Sequence, residues 1–445
     1  MRVALELCLP FLIALAPSTE DARLLPDVPT RAGAIDVRCE AVELPLRDGR
    51  GRSVARMHAY AYSVPGGAER PITFLWNGGP GAAAAFLHTG FAGPVVVPSG
   101  TERPELNART LVDLTDLVYV DPVGTGHSRA AGGVEARAFW GVEEDAEAAA
   151  AFVEAFLERA GARGRPLLLC GESYGAVRVG AMLEPLARRG IAVDGLILVS
   201  PALESRLLSG GRGREVARLA RADRLPTLAA LMEERGLREA HDPRRFVEEA
   251  CEFAHEVYLD ALELAEELSE EELGRLLRAR DAYTAGRELR DARGRDQHDA
   301  RLPATAGEIG GVELDELGDS VRGLLRVVFG VEKGGEYRLM NMTANRRWRA
   351  PGGRARFFEA DLRVPGMIAA AHERGAGPRV FVAGGWYDLV TPFATAHRLL
   401  AEGAFGAAPV EVRDYPAGHV VYADDEAHAA LAADLRAWMS APSVP

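Results

Sequence analysis

Cysteine is scarce in this chain. There are four in 445 residues (Cys8, Cys39, Cys170, Cys251), far apart and with no C-x-x-C pair, which argues against a disulfide framework and against a zinc site. Buried, unreactive thiols are the expectation. Positive charge is also in deficit: 52 Lys and Arg face 65 Asp and Glu, a formal net charge of −13. With no dense basic cluster, nucleic acid is not the expected partner. H-E-x-x-H, Walker A and G-x-G-x-x-G motifs are all missing, so no metal or cofactor is implied. The apolar stretch from Val3 to Ala16 is interrupted by Glu6 and is too short and too charged to span a bilayer. With Arg2 before it and Ala14-Leu15-Ala16 at its end, residues 1–16 resemble a secretory signal, although Pro17 is disfavoured just past the cut. A secreted or periplasmic location is expected ahead of a cytoplasmic one.

What is present is a globular composition, 48% apolar and 26% charged, with β-like and α-like segments alternating as in an α/β sheet protein. The most informative segment is Gly171-Glu172-Ser173-Tyr174-Gly175, directly after the apolar run Leu167–Cys170. A serine in this Gly-x-Ser-x-Gly setting sits on a sharp strand-to-helix turn with its hydroxyl above the sheet. The flanking glycines avoid Cβ crowding in that turn. The helix predicted after it ends in two arginines and Gly190. Further strands are expected at Val37–Leu46, Met57–Val64, Ile72–Trp76, Leu117–Asp121, Leu196–Val199, Val380–Ala383 and Val410–Val412, and a helix over 140–160.

From about Glu204 to Trp348 the pattern turns helical. Asp242-Pro243 opens one helix. Phe246, Ala250, Phe253, Val257, Ala261, Leu264 and Leu268 predict its apolar face, and Ser269 with Glu272 is a capping box opening the next helix. Loops are expected at Ser209–Gly213 and Arg293–Asp296. Strands resume afterwards, so the stretch reads as an insertion into one sheet. The expected layout is a signal-like segment 1–16, core 30–203, helical cap 204–348 and core 349–441.

An activated serine needs an imidazole base, and the imidazole needs a carboxylate to fix its tautomer. On an α/β-hydrolase sheet these follow in the order Ser, Asp or Glu, His. His58, His88 and His127 precede the serine. His241, His255 and His298 fall in the polar insertion, where a solvated surface role is expected, and His372, His397 and His428 lie in helix-like surroundings. His419, in Tyr415-Pro416-Ala417-Gly418-His419 after the last strand, is the candidate base. Asp388, leaving the Val380–Ala383 strand, is the candidate acid. Backbone donors for an oxyanion are expected from Tyr174 N–H and from Asn77-Gly78-Gly79-Pro80-Gly81, after the Ile72–Trp76 strand.

Together with Asp121-Pro122-Val123-Gly124-Thr125-Gly126-His127-Ser128, these motifs resemble the serine carboxypeptidase family, within the α/β-hydrolase fold, from about residue 70 to 425. The resemblance implies a mostly parallel central sheet flanked by helices, a Ser173, Asp388 and His419 triad, oxyanion donors at Gly79 and Tyr174, and a substrate carboxylate held by Asn77 and Glu172. Two anions in a dry pocket repel, so Glu172 can hold a carboxylate only if one of the pair is protonated, which favours acidic pH. The chain departs from the family pattern where Phe91 stands in place of a second glutamate, and where Leu75 and Ala82 replace the usual Trp and Cys. The expected activity is hydrolysis of the C-terminal peptide bond of peptides. An esterase or acyltransferase on the same fold, and a non-catalytic binding protein, are the alternatives. The sequence leaves oligomeric state open.

Overall fold

The computed structural model describes residues 22–441 apart from 68, 209–212, 238–241, 265, 285–293, 333–336 and 376. The signal-like segment, Cys8, His241 and most of the Ser209–Gly213 loop lie outside the described residues, as does Arg293 of the second loop.

The strands of the main sheet are β1 (Arg23–Thr30), β2 (Gly33–Arg47), β3 (Ser53–Ser63), β4 (Ile72–Trp76), β5 (Asp116–Asp121), β6 (Leu167–Glu172), β7 (Gly195–Val199), β8 (Arg379–Gly385) and β9 (Val410–Tyr415). Their order is β1-β2-β3-β5-β4-β6-β7-β8-β9, with Arg129–Ala130 added against β3. The pairs from β1 to β5 are antiparallel and those from β5 to β9 are parallel. β4 to β7 read as unbroken apolar runs because helices cover both faces. Strand β1 was not foreseen: Leu24-Leu25-Pro26 offers no alternation and Leu24 is exposed.

The helices are α1 (Ala85–Gly90), α2 (Val142–Arg159), α3 (Tyr174–Arg188), α4 (Arg214–Glu234), α5 (Pro243–Glu252), α6 (Glu270–Asp281), α7 (Leu314–Phe329), α8 (Val364–Glu373), α9 (Ala394–Ala401) and α10 (Asp425–Ser440). One core layer joins the sheet to α2, α3 and α8 through Phe152, Val177, Met182 and Ile368. The opposite layer joins it to α1, α7 and α10 through Leu87, Val321, Leu324 and Leu431.

Between β7 and β8 the chain leaves and re-enters at one point, where Val364 N–H donates to Leu203 O (2.9 Å) and Ser205 N–H to Leu362 O (3.0 Å). The intervening segment does not keep to one side of the sheet. Helix α7 is part of the core layer against Tyr60 and Tyr62, and Arg338 and Met340 bridge to Gly126 and Ala82. The long apolar face predicted from Phe246 to Leu268 is corrected. Helix α5 passes into a π-helical turn, Phe253–Tyr258, and the buried positions become Phe246, Ala250, Ala254 and Tyr258, while Val257 and Leu264 are exposed. The wider turn brings every fourth residue round to the same side, so the face shifts by one residue.

Candidate active site

The site is built where β4, β6, β7 and β8 end. Ser173 follows β6 with φ 58° and ψ −122°, a conformation that non-glycine residues adopt at a cost of about 1–3 kcal/mol when the surroundings enforce it. The surroundings are backbone: Ser173 N–H donates to Val199 O (3.0 Å), and Ser173 O accepts from Ala202 N–H (3.1 Å) and Ala176 N–H (3.0 Å). Both motif glycines are required by space. A Cβ on Gly171 would lie 2.3 Å from the Gly175 carbonyl, and one on Gly175 would lie 2.5 Å from Trp76 O. The strand, the turn and the end of β4 are therefore packed backbone to backbone.

Asp388 is wholly buried on the loop after β8 and is held by Val390 N–H (2.8 Å) and Thr391 N–H (3.0 Å) to one oxygen and by Thr391 Oγ1 (2.5 Å) to the other. That second oxygen lies 2.6 Å from His419 Nδ1. Burial alone would push the Asp388 carboxyl up, but the His419 charge and these hydrogen bonds leave it below the usual carboxylate range. Burial likewise opposes charge on His419. The Asp388 charge and hydrogen bond, aided by Glu172 and Asp296, outweigh burial and raise its pKa above an ordinary imidazole. The carboxylate fixes the tautomer with the proton on Nδ1, leaving Nε2 as the basic nitrogen. None of the described hydrogen bonds joins Ser173 Oγ to that ring. Such contacts are often long until substrate is bound.

The Asn77–Gly81 run lies against the nucleophile turn: a Cβ on Gly78 would be 2.5 Å from Tyr174 N and 2.9 Å from Ser173 Cβ. Gly79 has φ +100°, in the region that favours glycine. Asn77 is fixed at both ends. Its Oδ1 accepts Leu87 N–H (3.1 Å), and its carbonyl accepts the fully buried Arg178 guanidinium (2.7 Å), which is itself paired with Asp145 (2.7 Å). Glu172 is buried beside it, hydrogen-bonded by Asn77 and by the Tyr422 hydroxyl. Burial pushes the Glu172 carboxyl up to about 7 against the pull of His419 and these two donors.

Residues 55–189 match the serine carboxypeptidase family. The fold matches that of Kex1Δp, a prohormone-processing carboxypeptidase from Saccharomyces cerevisiae, with a TM-score of 0.63 at 14% identity over 95% of this chain and 96% of that one. Over residues 55–189 the chain is similar to the serine carboxypeptidase family, and its fold is that of the α/β-hydrolases. It is a serine hydrolase, and the matched segment and the fold support a peptidase role. VinJ (TM-score 0.43, 16% identity, 90% of this chain and 97% of that one) and a proline iminopeptidase from Mycobacterium smegmatis (0.39, 14%, 87% and 98%) are more distant in shape. No curated protein matches the chain.

Within this serine hydrolase, the structure brings Asp388 to His419, and Asn77 to Glu172, on the rim that carries Ser173. Three neighbours were not foreseen. Thr391 bridges Asp388 and His419 Nδ1 (3.1 Å). Tyr422 reaches Glu172. His298, expected at the surface, is instead packed edge-on against His419 at 5.3 Å between ring centres, and its carbonyl accepts His419 N–H (2.5 Å). Asp296 turns the loop by accepting His298 N–H (2.6 Å). The polar loop had no apolar pattern to show that it was buried. Thr391, three residues after Asp388 in a turn, was the one readable signal. Cys39 and Cys170 are buried and Cys251 half-buried, all three as free thiols. Among the described residues no group of acidic, His or Cys side chains could hold a metal, and no helix is long and apolar enough to cross a membrane.

Proposed function

We propose that the chain is a serine-type carboxypeptidase that releases the C-terminal residue of peptides through an acyl-enzyme on Ser173. His419 takes the Ser173 proton through Nε2 as Oγ attacks the scissile carbonyl. The tetrahedral oxyanion is held by Gly79 and Tyr174 N–H. His419 then protonates the leaving amine, and water resolves the ester, with Asp388 stabilising the imidazolium throughout. The observation that carries the choice of substrate is Glu172, a buried carboxyl next to the nucleophile whose pKa of about 7 lets it be neutral and donate to a substrate carboxylate in weakly acidic solution.

A serine esterase or acyltransferase is the second reading, favoured by Phe91, which stands where the family pattern carries a second glutamate. The test is a matched panel: one N-blocked dipeptide as free acid, amide and ester, assayed from mildly acidic to mildly basic pH. Preference for the free acid at low pH supports the carboxypeptidase, and ester cleavage alone supports the second reading. Labelling by a fluorophosphonate probe, lost in Ser173→Ala together with about 10⁴- to 10⁶-fold in kcat, is expected under both readings and is not expected of a binding protein.

A further inference from the structure

The Tyr422 hydroxyl lies on a carboxyl that the proposed reaction needs, yet no part of the triad or oxyanion site uses it. Tyr422 sits in the short turn three residues after His419. Its ring is buried against Phe91, 5.2 Å between centres, and Gly90 admits it: a Cβ there would be 3.0 Å from the ring. The hydroxyl donates to Glu172 Oε2 and also contacts the Asn77 side chain. Asn77 Oδ1 accepts Leu87 N–H (3.1 Å), an arrangement that turns the amide N–H groups toward Tyr422 and Glu172. In this triangle Tyr422 donates its single proton to Glu172. The ring also lines a cavity of about 280 Å³ whose wall is mixed, with Phe86 and Val420 beside Arg109, Glu316 and His428. Tyr422 therefore spans from this cavity wall to the buried carboxyl.

We propose that Tyr422 is a specificity-determining residue that binds the free carboxylate of the substrate together with Glu172 and Asn77. When a carboxylate arrives, the phenol proton turns from Glu172 to the ligand, and neutral Glu172 supplies the second donor. The site then has donors enough for an anion without a cationic side chain, and Phe91 need contribute nothing polar. This rests on the carboxypeptidase reading above and goes beyond it in naming the group that selects the free acid.

The test is Tyr422→Phe, which keeps the ring, the contact with Phe91 and the wall of the cavity. Active sites are titrated with the fluorophosphonate probe, and kcat/KM is measured on the free-acid and ester members of the panel in the same preparation. The expected result is a fall of about 10- to 100-fold on the free acid, mostly in KM, with ester hydrolysis within about threefold of the wild type. In the double variant with Glu172→Gln the losses should be strongly non-additive, because both groups act on one carboxylate. An unchanged ratio of free acid to ester overturns the assignment, and so does an equal fall on both substrates, which marks a merely structural residue. If the wild type itself shows no preference for the free acid, the carboxypeptidase reading falls and takes this assignment with it. If the wild type shows the preference and Tyr422→Phe retains it, this assignment alone falls.

Discussion

Gly78→Ala isolates the contact on which the proposed oxyanion site depends. The added Cβ would stand 2.5 Å from Tyr174 N, 2.7 Å from Glu172 O and 2.9 Å from Ser173 Cβ. None of these can rotate away. Two are backbone atoms of the nucleophile turn, and that turn is pinned by Val199 O, Ala202 N–H and the packing of Gly175 on Trp76. Ordinary van der Waals separation between such atoms begins at about 3.5 Å, so one side must retreat by about 1 Å. Asn77 is anchored, so the yielding part is the backbone at Gly78 and Gly79, and its retreat carries Gly79 away from Tyr174. A displacement of that size at a catalytic group costs about 100-fold, and losing one oxyanion donor costs about 10²- to 10³-fold in kcat. The expected outcome is therefore a 10²- to 10³-fold loss of kcat on ester and peptide substrates alike. Overpacking should cost about 1–3 kcal/mol of stability. Probe labelling at Ser173 should slow without being abolished, since the hydroxyl and imidazole are left in place. The assay is active-site-titrated kinetics on the ester, with a thermal melt on the same sample. A variant that folds with wild-type Tm and keeps kcat within threefold would refute the packing argument and the placement of the oxyanion donors together.

The pH profiles should separate by substrate. Free-acid hydrolysis needs neutral Glu172 and should fall as pH rises through about 7, the value to which burial pushes that carboxyl. Ester hydrolysis needs only neutral His419, whose pKa is raised by Asp388 despite burial, so it should rise with pH past the ordinary imidazole range. Parallel profiles for the two substrates would remove Glu172 from substrate binding. A stability prediction concerns Arg398, buried on α9 against Asp223 (3.0 Å) and Glu204 (2.5 Å), with Asp223 also held by Thr395 (2.9 Å) and His255 (3.2 Å). Arg398→Met removes the cation that Asp223 and Glu204 share, leaving Glu204 to its rim partners Arg206 (3.3 Å) and Arg363 (3.2 Å) and Asp223 to His255 and Thr395, and should cost up to about 3 kcal/mol, read as a lower denaturation midpoint in urea. An unchanged midpoint would show that the network is held by other means.

The sequence by itself determined the parts of this protein that rest on short-range geometry. A strand followed by Gly-x-Ser-x-Gly has few conformations that keep the glycines clear of neighbouring backbone, so the turn at Ser173 could be read from Gly171 and Gly175. The parallel strands could be read because burial on both faces demands unbroken apolar runs, as at Leu167–Cys170 and Leu196–Val199. The placement of Asp388 and His419 after the last two strands was likewise readable, because each follows an apolar run in the chain. The tertiary structure alone decided what meets across long separations. His298 belongs to a polar loop with no periodicity, and only its docking on Gly418 and His419 half-buries it. Tyr422 and Glu172 are 250 residues apart, and nothing in the composition near either one shows that a phenol caps the carboxyl. The apolar face after Phe246 moved because a π-helical turn changed the local repeat. Helix α7 joined the core because its Val321, Leu324 and Val328 stripe found Tyr60 and Tyr62 on the far side of the sheet. Periodicity fixes which face of an element is buried, whereas the partner of a buried polar group is set by the whole packing, since that group must find its hydrogen bond wherever the fold happens to supply one.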